Sequence, residues 1–126
     1  MTKMTARRTS RIVPDGSTRE NALMSFAPLQ KQVDDWITTH THGYFSPLMM
    51  TARLTEELGE LARAISHKHG EKKPKPGEKE GDVAEEIGDL IFVLICLANS
   101  EGIDLDESWK GLLEKLYVRD AKRWKP

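Results

Sequence analysis

Residues 56–61 read Glu-Glu-Leu-Gly-Glu-Leu and residues 85–90 read Glu-Glu-Ile-Gly-Asp-Leu, so one acidic pattern occurs twice in the chain. Apolar residues around the first copy recur every three or four positions, which is typical of one helix face. The residues predicted to bring this face into the core are Leu54, Leu58, Leu61 and Ile65. The second copy runs into residues 90–98, which are apolar throughout and indicate a helix packed on several sides. Because a charged loop at residues 69–81 separates the two helices, they are predicted to form an antiparallel hairpin.

Capping signals and apolar periodicity predict four helices. Three of these helices begin at recognisable capping residues, which are Ser46-Pro47, Asp82 with Glu85, and Asp104 with Glu107. The first helix is predicted over residues 26–40, and the second and third are predicted to end near His67 and Ser100. The fourth is predicted to face the core with Trp109 and its leucines. Since no stretch reads as a convincing strand, the sequence predicts an all-α, four-helix bundle.

Size and composition predict one domain. The chain has 126 residues, of which 38% are hydrophobic, so its core is expected to be modest and oligomerisation is favoured. Residues 25–126 form the predicted domain, and the polar, basic residues 1–24 are predicted to be a flexible arm. The formal net charge is −1, which gives no overall attraction to nucleic acid or to an anionic membrane. We therefore expect neither as a partner.

Cysteine content and hydropathy predict a cytoplasmic protein. Cys96 is the single cysteine, so no internal disulfide can form, and a reducing compartment is expected. It lies in the apolar run at residues 90–98, where a buried structural thiol is predicted. That run is far shorter than the roughly 18 residues of a membrane-spanning helix. No apolar stretch follows the N-terminal arginines, so a secretory signal is not expected either.

Each copy of the acidic pattern places two carboxylates three positions apart, Glu57 with Glu60 and Glu86 with Asp89. This spacing puts each pair on one helix face, and the predicted hairpin brings the two pairs together. Four carboxylates at the edge of a core repel one another unless a cation neutralises them. Oxygen ligands without His or Cys suit Mg²⁺, with Mn²⁺ as a substitute. The four are therefore predicted to bind metal, and the alternative is that they line a solvated helix face.

Two further features belong to the same turns. Gly59 and Gly88 each cost their helix about 1 kcal/mol relative to alanine, which predicts close approach of a helix or ligand. Glu56, one position before the first metal-ligand pair, is the candidate general base for activating water, and a surface glutamate is the alternative.

The motif Glu-x-x-Glu, followed after 25 residues by Glu-x-x-Asp, resembles that of the MazG-like nucleoside triphosphate pyrophosphohydrolases. The similarity extends from the first helix onward and includes residues 44–67, 85–105 and 115–124. The resemblance implies a homodimer or homotetramer of four-helix chains. It also implies Mg²⁺-dependent hydrolysis of a nucleoside or deoxynucleoside triphosphate to a monophosphate and pyrophosphate, in nucleotide-pool house-cleaning. It supports the four carboxylates as metal ligands, and it places Asn99 near the substrate, with Lys115 and Arg119 as a basic pair.

Further residues are candidates for substrate binding. Tyr44 and Phe45 could stack on a nucleobase, and Lys115 and Arg119 could neutralise phosphates. Basic residues at the end of the last helix also favour its dipole, which is the alternative for that pair. Trp36 is predicted to belong to the core.

Two other classes of protein share parts of this pattern. A di-iron helical protein needs Glu-x-x-His pairs, and neither acidic motif ends in histidine. A non-enzymatic module, either a metal-stabilised helical dimer or a nucleotide-binding regulator, would explain the amphipathic helices but not the duplicated acidic turn.

Overall fold

The computed structural model describes residues 25–123, so the predicted arm at residues 1–24 lies outside the described residues. Four α-helices follow one another, α1 Phe26–His40, α2 Pro47–His69, α3 Val83–Ser100 and α4 Leu105–Glu114, and a π-helical turn, Lys115–Arg119, continues the last one. The part of the chain that is described contains no strand. The predicted all-α, four-helix architecture is therefore confirmed. Within residues 25–123, no helix has both the length and the apolar character needed to cross a membrane.

The helix starts follow from capping side chains. The Ser46 hydroxyl accepts a hydrogen bond from the Met49 amide at 3.2 Å, and Pro47 fills the first helical position, where no amide hydrogen is needed. A carboxylate caps each of the next two helices, since Asp82 accepts from the Ala84 amide and Asp104 accepts from the Asp106 amide, both at 2.9 Å. These caps satisfy amides that have no partner within the helix. The predicted starts of all three helices are correct.

Helices α2 and α3 form an antiparallel hairpin, which is the most extensive packing in the chain. At its closed end, a Cβ at Gly81 would lie 2.8 Å from Cβ of Ala64, so only glycine lets the chain approach α2 this closely. At its open end, Met50 of α2 packs against Cys96 of α3, and Ile37 of α1 completes this small core. Cys96 is buried, as predicted, and burial raises the pKa of its thiol.

The face of α2 that enters the core matches the predicted stripe only in part, since Leu54 and Leu61 are partly buried. Leu58 is 56% exposed and Ile65 is more than one-third exposed, whereas Met50, Ala64 and His67 are buried. The apolar period located an amphipathic helix correctly, but α3 packs against a neighbouring face. Met50, Glu57 and Ala64 follow one another at intervals of seven positions, so they lie on the same face of α2. Glu57 of the first acidic motif therefore belongs to the face that packs against α3.

Two other expectations of burial are wrong for the single chain. Trp36 is 48% exposed, and it stacks on His40 with ring centroids 5.4 Å apart instead of entering the core. Trp109 of α4 is also half-exposed, as are the neighbouring leucines. Within residues 25–123, helix α4 packs mainly on α1 among the other helices, and this packing includes a tilted contact between Phe26 and Trp109. One neighbouring helix is not enough to cover its apolar face.

Candidate metal and nucleotide site

Three carboxylates converge where the acidic turns of α2 and α3 meet. One oxygen from each of Glu57, Glu86 and Asp89 lies within 4.8 Å of the other two. The antiparallel hairpin causes this arrangement, because it brings the two motif copies to the same height. The Glu57 side chain is only 15% exposed, so part of the cluster is withdrawn from water.

The electrostatics of the cluster favour a bound cation. Burial raises the pKa of Glu86, and the negative charges of Asp89, Glu60 and Glu57 raise it further. Arg53 offsets part of this repulsion, since its guanidinium lies 3.4 Å from a Glu57 oxygen. Hard oxygen donors without imidazole or thiolate suit a hard divalent ion, so the residues present fit such a metal.

Glu60 lies at the side of this cluster. It is not one of the three converging carboxylates, but its charge reaches Glu86 and the two residues line one cavity. Glu56 is exposed on α2 and lies outside the converging group. Beyond their own helices, no described atom lies within 4 Å of the position that a Cβ would occupy at Gly59 or Gly88. The predicted close approach of a helix at these glycines is therefore wrong within the single chain.

A cavity of about 660 Å³ lies beside the carboxylates, between the end of α1, the following loop and the open end of the hairpin. Tyr44 and Phe45 both line it, as do Trp36 and His40. Its volume falls in the range of small-molecule sites, and three aromatic side chains form part of its wall, so it is called the aromatic cavity below. Arg53 connects the two regions, because it lines this cavity and also contacts Glu57 one turn further along α2.

The sequence analysis did not single out Arg53 as a residue between the carboxylates and the cavity. The contact between Arg53 and Glu57 could have been predicted, since the two residues are four positions apart and such a pair meets on a helix surface. Nothing in the local pattern indicated that the same arginine would also border an aromatic cavity.

Tyr44 is held rigidly at the cavity wall. Its hydroxyl donates to the Asp34 carboxylate at 2.7 Å and accepts from the Asn99 amide at 3.0 Å. Burial and the bond to Asp34 raise the pKa of Tyr44 to about 12. The Asn99 amide also donates to the Gln30 carbonyl at 2.9 Å, while its oxygen accepts from the Gln30 side chain at 2.9 Å. Asn99 therefore joins α3 to α1 behind the cavity.

The basic pair lies away from this region of the chain. Lys115 and Arg119 belong to the π-helical turn that follows α4, and neither lines the aromatic cavity. Arg119 donates to the adjacent Asp120 at 3.1 Å, and this contact raises the pKa of the guanidinium. The single chain thus does not bring this pair to the carboxylates.

Fold and site together define an all-α protein with a cluster of converging carboxylates beside a cavity that is lined in part by aromatic side chains. The model of the MazG nucleotide pyrophosphohydrolase domain matches residues 45–124, which include both acidic motifs. The chain belongs to this family of hydrolases, and the family resemblance seen in the sequence is confirmed.

The chain is also similar to two further proteins and to two solved structures. The protein YpjD of Bacillus subtilis (strain 168) is 52% identical over 96 residues, covering 76% of this chain and 86% of that protein. YvdC of the same organism is 29% identical over 102 residues, covering 76% and 96%. The crystal structure of YPJD from Bacillus subtilis superposes with a TM-score of 0.67 at 48% identity, covering 77% of this chain and 97% of that chain. The Bacillus-conserved MazG protein, a nucleotide pyrophosphohydrolase, gives a TM-score of 0.64 at 44% identity, with 77% and 94% covered.

Proposed function

We propose that the protein hydrolyses a nucleoside or deoxynucleoside triphosphate between the α- and β-phosphates, which gives a monophosphate and pyrophosphate. The observation that carries this proposal is the convergence of Glu57, Glu86 and Asp89 within 4.8 Å beside an aromatic cavity of about 660 Å³. The family assignment supports pyrophosphohydrolase chemistry, and removal of aberrant nucleotides in the cytoplasm is the proposed role. Neither nucleic acid nor a membrane is proposed as a partner.

The metal centre is proposed to take Mg²⁺, or Mn²⁺ in its place, with Glu57, Glu86 and Asp89 as ligands and Glu60 completing the set. A bound ion of this kind supplies neutralisation of the phosphate charge and polarisation of the phosphoryl oxygens. Burial and the neighbouring carboxylates raise the pKa of Glu86, and a bound cation would offset the repulsion among these carboxylates.

The other site residues are proposed to contact the nucleobase or to accept the proton of the attacking water. Tyr44 and Phe45 are proposed to contact the nucleobase, and the bonds from Asn99 and Asp34 keep the Tyr44 ring in place. Asn99 is thus proposed to act near the substrate by positioning Tyr44. Glu56 is exposed beside Glu57, and its carboxylate is proposed to accept the proton of the attacking water.

The active form is proposed to be a homodimer or homotetramer. Large apolar side chains on the outer faces of α3 and α4 are a third to half exposed in the single chain, including Ile91, Leu94 and Trp109. Because Lys115 and Arg119 do not reach the carboxylates of their own chain, we propose that they meet the phosphates bound by a neighbouring subunit.

The test is incubation with a panel of triphosphates, with Mg²⁺ or with EDTA, followed by chromatography of the products. Monophosphate and pyrophosphate that appear only with metal are expected. Asp89→Asn should lower turnover at least about 100-fold, because a lost ligand removes charge stabilisation from the centre. Asp35→Asn is the matched control, since that exposed α1 carboxylate lies outside the converging group. Diphosphate with orthophosphate would contradict the bond assignment, and absent turnover in folded protein would favour a non-enzymatic nucleotide-binding module.

A further inference from the structure

A second polar region begins at the closed end of the hairpin, around His67. His67 is only 4% exposed, and its Nδ1 atom has no hydrogen-bond partner among the residues that the structure describes. His67 lines two cavities, one of about 290 Å³ and one of about 680 Å³. A buried imidazole nitrogen without a partner is unfavourable, so a hydrogen-bonding ligand in either cavity would satisfy it.

The larger of these cavities is strongly basic. Apart from His67, its charged lining consists of Arg63, Lys72, Lys73 and Lys75, with Glu78 as the single acid. Glu78 forms an ion pair with Arg63. None of the three lysines forms an ion pair within residues 25–123. Three uncompensated ammonium groups around an incompletely satisfied imidazole suit an anion with several oxygen atoms.

The smaller cavity connects this basic region to the metal centre. Its lining includes His67 and Arg63 of the basic region and Glu60 and Glu86 of the acidic turns, and its other charged residues are Glu78, Lys79, Glu80, Asp82 and Glu85. Seven helical positions separate Glu60 from His67, so the regions lie about 10 Å apart along α2. The aromatic cavity lies in the opposite direction, beyond Arg53. Along α2 the order is therefore aromatic cavity, carboxylates, then basic cavity.

We propose that His67, Arg63 and the lysines Lys72, Lys73 and Lys75 form a binding site for inorganic pyrophosphate. This proposal rests on the proposed function: the site receives the β- and γ-phosphates of the substrate. It therefore holds the pyrophosphate leaving group before release. The order along α2 fixes the direction of the nucleotide, with its base at the α1–α2 loop and its terminal phosphates at the α2–α3 loop. A merely solvated linker would not account for a buried imidazole that lines two cavities and whose Nδ1 atom has no hydrogen-bond partner among residues 25–123.

Binding of inorganic pyrophosphate to the full chain, measured by calorimetry with and without Mg²⁺, tests the proposal. Lys72→Gln combined with Lys73→Gln should weaken binding about fivefold, the combined effect of two exposed charge pairs. Lys31→Gln combined with Lys110→Gln carries the same charge change away from the basic cavity and should leave binding within about twofold. His67→Leu removes the unpaired nitrogen and should also weaken binding, provided that its helical circular dichroism matches the parent protein.

This readout needs no turnover, so it separates the two proposals. Pyrophosphate binding that depends on the loop lysines, in a protein that cleaves no nucleotide, would keep the site and contradict the proposed reaction. Triphosphate cleavage with pyrophosphate affinity unchanged in the Lys72/Lys73 variant would overturn the site and leave the reaction intact. Absence of pyrophosphate binding to the parent protein would also overturn the site.

Discussion

Replacing Asn99 with alanine separates a positioning role from a direct role in substrate binding. Asn99 makes three hydrogen bonds of 2.9–3.0 Å, two with Gln30 and one with Tyr44. Each such bond contributes about 1 kcal/mol net. Because the junction is only partly buried, we expect Asn99→Ala to lower the free energy of unfolding by about 2 kcal/mol. For a domain of this size, that corresponds to a fall in Tm of about 10 °C.

The kinetic consequence follows from the position of Tyr44. Without the Asn99 amide, the phenol loses one of its two hydrogen bonds, and the wall of the aromatic cavity is held less firmly. KM for the nucleotide should therefore rise more than kcat falls, since the carboxylate cluster is left unchanged. Steady-state kinetics and urea unfolding, both at one protein concentration, measure the two effects.

Tyr44→Phe is the matched control, because it removes a single hydroxyl and should cost about 1 kcal/mol. The double variant should cost less than the sum of the two single variants, since they share the bond between Asn99 and Tyr44. Asn99→Ala would refute the positioning role if it lost turnover while its unfolding free energy stayed within about 0.5 kcal/mol of the parent protein. Asn99 would then act on the substrate itself.

Three other predictions concern the carboxylates, the hairpin and the phenol. Glu86→Gln should raise the Tm of the metal-free protein, because the raised pKa of Glu86 shows that its surroundings disfavour the charged carboxylate. The same variant should abolish any rise in Tm on addition of metal. A lower Tm of the metal-free variant would contradict this prediction. Gly81→Ala should destabilise the hairpin by about 1–3 kcal/mol through its clash with Ala64. Gly59→Ala is the control, because a Cβ at Gly59 meets open space, and it should stabilise α2 by up to about 1 kcal/mol. Equal urea midpoints for Gly81→Ala and Gly59→Ala would disprove the proposed clash at Gly81. The pKa of Tyr44 is raised to about 12, so the folded protein favours the neutral phenol. The contribution of the phenol to the free energy of unfolding should therefore be complete below pH 10 and lost between pH 10 and about 12. Tyr44→Phe should not show this loss when unfolding is measured as a function of pH.

The sequence alone determined the helices and the acidic centre, because both depend on short-range patterns. Capping by Ser46, Asp82 and Asp104 is a matter of neighbouring amides, so the starts of three helices could be read directly. The duplicated acidic motif predicted the convergence of its carboxylates for a related reason. The connection at residues 70–82 lets the consecutive helices run antiparallel. Gly81 then approaches Ala64, and Glu57, seven positions before Ala64, lies near Glu86, five positions after Gly81.

Only the tertiary structure decided which faces and which partners meet. Helix α2 has apolar side chains around more of its circumference than a single hairpin can cover, so its periodicity did not reveal that Ala64 and His67 would be buried and Leu58 exposed. Asn99 finds its partners 69 and 55 positions away, on Gln30 and Tyr44. Such contacts depend on how helices cross, and crossing is set by the packing of whole surfaces. Spacing along one helix carries no information about the surface that packs against it.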